Sequence, residues 1–121
     1  ILSLHRSFRV GAKRESTSHY AAGSSPAYFF LFLEAMEQKA LDLGFNKQQS
    51  RMMVQQAMLG AAEMVCHNPD LELSTLRAQV TSKGGTTAKA VETLQKGGLE
   101  NLVDKAMQAA IDRAEEMSKL F

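Results

Sequence analysis

Pro26-Ala27-Tyr28-Phe29-Phe30-Leu31-Phe32-Leu33-Glu34-Ala35-Met36 is the stretch whose reading decides the fold. Positions 28–33 are apolar without a break, and such a run taken alone suits a strand or a buried helix. Glu34, Ala35, Met36, Ala40 and Leu41 continue at helical spacing and favour the helix. Pro26 fits the first helical position, where its missing N–H costs nothing, and Ser24 or Ser25 serves as cap. A helix is therefore expected over residues 26 to about 43. Its opening is apolar on every side and must be covered on every side. In a chain of 121 residues that requirement points to a subunit interface.

Working outward, Gly44 suits a helix stop, and Asn46 with Gln49 forms a possible capping box for a second helix over 47–67. Met53, Ala57, Gly60, Ala61 and Met64 share one stripe of that helix. Small residues there allow close packing, and a methionine-rich stripe reads as core filler before it reads as a functional box. Asn68-Pro69-Asp70 signals a turn, and Ser74 suits the cap of a short helix over 75–80. Further helices are expected over 87–95 and, after the Gly97-Gly98 break, over 99–120. The last presents Leu102, Ala106, Ala109, Ala110 and Ala114 on one face. The chain shows no internal repeat, no strand-like alternation and no GxGxxG following a strand. The fold class read from this pattern is all-α, a helical bundle without a Rossmann domain.

Composition narrows the function classes. The chain carries 14 Lys+Arg against 13 Asp+Glu, which argues against a nucleic-acid binder or a polybasic membrane protein. The longest apolar run, Ala27 to Leu33, falls far short of the ~20 residues that span a bilayer. Residues 1–21 are set apart as a basic leader, with Arg6, Arg9, Lys13 and Arg14 against Glu15. Their Arg- and Ser-rich content suits a transit peptide or a nucleic-acid arm. No clear amphipathic helix runs from Ser3 to His19, so a disordered, vector-derived or out-of-frame leader is the preferred reading. Residues 22–121 are taken as one helical domain. Cys66 is the lone cysteine, which excludes an internal disulfide and suits a reducing cytoplasm. Its neighbour His67 points elsewhere on a helix, so a metal pair is not expected and Cys66 reads as a small buried hydrophobe.

Thr81-Ser82-Lys83-Gly84-Gly85-Thr86-Thr87 is the one segment whose composition is chemical. Two glycines allow backbone shapes closed to other residues and let a ligand approach the chain. The helix that follows offers unpaired N–H groups and the positive end of its dipole. Ser82, Thr86 and Thr87 add hydroxyls, and Lys83 adds a charge. These parts make a pocket for a carboxylate or phosphate. They equally make a flexible inter-helix turn with a threonine cap, and the residues alone leave both readings open. A P-loop is excluded, because no Lys-Ser/Thr follows the glycines at its spacing.

The stretch from Leu73 through Leu76, Val80, Gly84-Gly85, Thr87, Ala90-Val91 and Leu94 to Gln95 closely resembles the signature of pyrroline-5-carboxylate reductases. Gly23-Ser24-Ser25-Pro26-Ala27-Tyr28-Phe29-Phe30 resembles that family's lead into its first C-terminal helix, and Gly97-Gly98-Leu99 also fits. The resemblance covers about residues 22–121. It implies the dimerisation domain of a proline-biosynthesis oxidoreductase, in which NADP or NAD gives a hydride to the C=N carbon of 1-pyrroline-5-carboxylate. It implies an interlocked homodimer or higher homo-oligomer. It also implies that the substrate carboxylate, or a small carboxylate such as proline, is held by Ser82, Gly84, Gly85, Thr86 and Thr87.

Three departures accompany the resemblance. The family's N-terminal Rossmann domain has no counterpart here, so a truncated chain that binds no cofactor, and is inactive alone, is the expectation. A non-catalytic assembly protein of the same descent is the alternative. Residues 1–21 resemble no part of the family, and Lys83 and Ala22 replace its usual proline and serine. His5, His19 and His67 lie in the leader or at a helix end, so no catalytic residue is expected.

Overall fold

The computed structural model describes the backbone over residues 12–120 and the side chains over residues 26–120. The described residues form five helices and no strand: α1 Ala12–Asp42, α2 Lys47–His67, α3 Leu73–Gln79, α4 Thr86–Lys96 and α5 Leu99–Leu120. The all-α expectation is met.

Local signals set most of the boundaries. The end of α1 is a Schellman turn, in which Gly44 N–H donates to Leu41 O (3.0 Å) and Phe45 N–H to Ala40 O (3.2 Å). Gly44 sits at φ +103°, where a side chain would be strained. The capping box is formed at α2: Gln49 N–H donates to Asn46 Oδ1 (2.8 Å), and Asn46 N–H to Gln49 Oε1 (3.0 Å). Asn68 Nδ2 closes the other end by donating to Met64 O (2.8 Å).

Two boundaries differ from expectation. Pro26 does not begin α1 but lies inside it, and the helix starts at Ala12. The proline ring has no N–H to give Ala22, so one rung is lost without ending the helix. Of the leader set apart at 1–21, residues 1–11 lie outside the described residues, and from Ala12 the backbone is helical. Ser74 does not cap α3; it lies within it, and Glu72 stands at the cap without a side-chain hydrogen bond. Thr75 and Leu76 N–H groups reach Glu72 O at 3.0 and 3.1 Å, so the turn winds before Ser74.

The helices fall into two compact units. In the unit Phe32–Gly97, the buried side chains are Ala40 of α1, Ser50 and Val54 of α2 and Leu76 of α3. Arg51 Nε pairs with Glu37 Oε2 at 3.2 Å, an exposed bridge worth at most ~1 kcal/mol. Met53, Ala57, Gly60 and Ala61 of the expected stripe stay exposed in the single chain. Cys66 is exposed rather than buried.

The other unit joins residues 12–31 with residues 98–120. Within it, Phe29, Phe30 and Leu31 are exposed on α1. On α5, Met107, Ala110, Ile111 and Ala114 are half-buried at helical spacing, while Leu102, Val103, Met117 and Leu120 are exposed. Among the described residues, neither unit buries more than a few of its large apolar side chains.

Candidate functional site

The segment between α3 and α4 is shaped by its own backbone. Thr81 Oγ1 donates to Arg77 O at 2.6 Å and closes the end of α3. Gly85 N–H then donates to Ser82 O at 3.0 Å, which makes Ser82–Gly85 a four-residue turn. Gly84 holds its third position at φ +73°, the conformation a type II turn demands there. Gly85 is favoured for a different reason. A Cβ on it would stand 3.2 Å from Ser82 O and 3.3 Å from Ser82 Cβ, a tight contact that Ser82 would have to relieve by a few tenths of an ångström.

Gly85 is also the N-cap of α4, with extended backbone and no side-chain cap. Its carbonyl accepts the first helical bond, from Lys89 N–H at 3.2 Å. The N–H groups of Thr86, Thr87 and Ala88 therefore donate to no backbone carbonyl at the start of the helix. No acidic side chain stands in that first turn to offset the dipole. Ser82, Lys83, Thr86 and Thr87 are exposed, and their side chains have no hydrogen-bond partner among the described residues.

The five residues singled out from sequence thus lie together on one turn and the helix start it leads into. Their backbone donors are not equally available. The Gly85 N–H is engaged by Ser82 O and is not free for a ligand. Ala88 was missed, because an alanine carries no chemical signal. Its free donor comes from its place as the third helical residue. Thr86 is likewise the first helical residue, not the cap.

This arrangement suits an anion: three convergent backbone donors, a helix dipole, nearby hydroxyls and one ammonium group. It does not suit a metal, and no group of His, Cys, Asp and Glu among the described residues could hold one. No described helix is long and apolar enough to cross a membrane.

Comparison with known proteins gives a consistent answer. The family described as pyrroline-5-carboxylate reductase dimerisation matches residues 16–117. That match reaches several residues into the stretch set apart as a leader. The chain is 63% identical over 101 residues to a pyrroline-5-carboxylate reductase of Vibrio alginolyticus, covering 84% of this chain and 37% of that protein. It is 53% identical over 100 residues to the one of Pasteurella multocida, covering 83% and 36%. Among solved structures, the reductase of Coxiella burnetii superposes with a TM-score of 0.81 at 38% identity, over 88% of this chain and 40% of that one. The Plasmodium falciparum enzyme, solved with NADP bound, gives 0.81 at 28% identity, over 89% and 43%. The chain spans between a third and a half of the length of these relatives.

Proposed function

The chain belongs to the pyrroline-5-carboxylate reductase family, and on that premise we propose that it is the helical part of such an enzyme, which pairs with a second copy and holds the substrate carboxylate. The carboxylate lies at residues 82–88. The observation that carries this reading is the set of unpaired N–H groups on Thr86, Thr87 and Ala88 behind the Ser82–Gly85 turn. Hydrogen bonds to a charged carboxylate are shorter and stronger than neutral ones, and several from one rigid helix start fix its orientation. Ser82 and Thr87 hydroxyls complete the donor set, and Lys83 adds attraction at longer range. Holding the carboxylate fixes the ring and so presents the C=N carbon to hydride, a contribution of positioning.

NADP or NAD supplies that hydride in the whole enzyme. The described residues do not fit a dinucleotide: they include no βαβ unit, and the Gly84-Gly85 turn joins two helices. Pairing is supported by the apolar side chains left exposed on α1, α2 and α5. Such faces suit a large isologous interface.

Titration with L-proline, followed through the amide resonances of residues 84–88, tests the carboxylate site. We expect shifts at Thr86, Thr87 and Ala88 with an affinity of about 1 mM, since a few hydrogen bonds must offset the cost of association. Thr87→Ala should weaken binding about tenfold, the order expected for a hydrogen bond to a charged group. Shifts confined to other helices, or an unaltered affinity in Thr87→Ala and Ser82→Ala together, would overturn the assignment.

A further inference from the structure

We draw no further inference here: the strongest candidate, the exposed apolar face of α1 formed by Phe29, Phe30 and Leu31, is the surface already assigned to pairing with a second copy, and nothing in the structure shows another occupant for it.

Discussion

Between Ser82 and Gly85 the chain closes on itself within four residues, whereas along Phe29, Phe30 and Leu31 it leaves 65%, 61% and 69% of each residue uncovered. The turn needs only its own backbone: one hydrogen bond, one glycine at positive φ, and one glycine where a Cβ would be tight against Ser82. The apolar run needs neighbours that the described residues do not bring. Hydrogen-bonded closures are short-range and net about 0.5–1.5 kcal/mol each. Burial of a phenylalanine is worth about 1.5–3 kcal/mol, but only when another surface arrives. The Ser82–Gly85 turn is therefore closed within one copy of the chain, while the proposed pairing would supply what the exposed apolar run lacks.

Phe29→Asp attacks the unfinished side of that contrast and should have the largest effect. In a symmetric pair the loss counts once in each copy, or about 3–6 kcal/mol in all. That corresponds to a dimer weakened roughly a hundredfold to ten-thousandfold. Sedimentation equilibrium should find dimers of the unsubstituted protein at micromolar concentration and a concentration-dependent loss of them in the variant. A folded, stable monomer of the unsubstituted protein would break the comparison at its root.

Gly84→Ala attacks the finished side. No atom lies within 4 Å of the added Cβ, so the cost is that of the φ of +73° and not of a clash. It should be about 1–2 kcal/mol. Gly84→Asn should lose less, since asparagine visits this region more readily. Thermal unfolding at fixed protomer concentration reads the difference. Equal losses for the two variants would mean that the backbone conformation is not what glycine supplies. Asn46→Ala removes the hydrogen bond to Gln49 N–H and should cost about 1 kcal/mol, with Asn46→Ser nearly neutral. Neither Gly84 nor Asn46 variants should alter the dimer constant beyond what their stability loss imposes.

The same division decides how much of the molecule was legible in its sequence. Gly44, the Asn46–Gln49 box, Asn68-Pro69 and Gly97-Gly98 act within a few residues, and each lies where the reading put it. The bounds of α2 and α5 follow from them. The Gly84-Gly85 turn between two helices was legible for the same reason. Local rules failed where several are weak together. Ser24-Ser25-Pro26 has the form of a helix start, yet α1 runs through it, because one missing N–H does not outweigh continuing a helix. Burial was the least legible property. Ser50 is fully buried with its hydroxyl unpartnered, although it was no part of the apolar stripe, and Cys66 is exposed. Which helix face is covered depends on what packs against it, which the residue pattern of a single helix does not specify. The free Ala88 N–H was invisible because it belongs to a backbone position and not to a residue type.

Lys83→Pro should give the smallest effect, and an opposite one. Lys83 is the second residue of the Ser82–Gly85 turn, where proline's fixed φ is favoured. Its own φ is not positive, and its N–H donates to no backbone carbonyl, so the ring removes no bond. Ser82 before it is outside any helix, as a residue preceding proline usually is. The lysine side chain is exposed and makes no ion pair among the described residues, so its loss releases nothing folded. The gain comes from fewer conformations in the unfolded chain, about 0.4–1 kcal/mol. Unfolding should therefore move up by about 2–6 °C for a domain of this size. Proline affinity should change less than threefold, since an exposed ammonium is screened by solvent and salt. A fall in unfolding temperature would show that the turn cannot accept a fixed φ at residue 83, and that its closure depends on more than Gly84 and Gly85. A large drop in affinity with the stability gain intact would instead assign the ammonium group a direct part in holding the carboxylate.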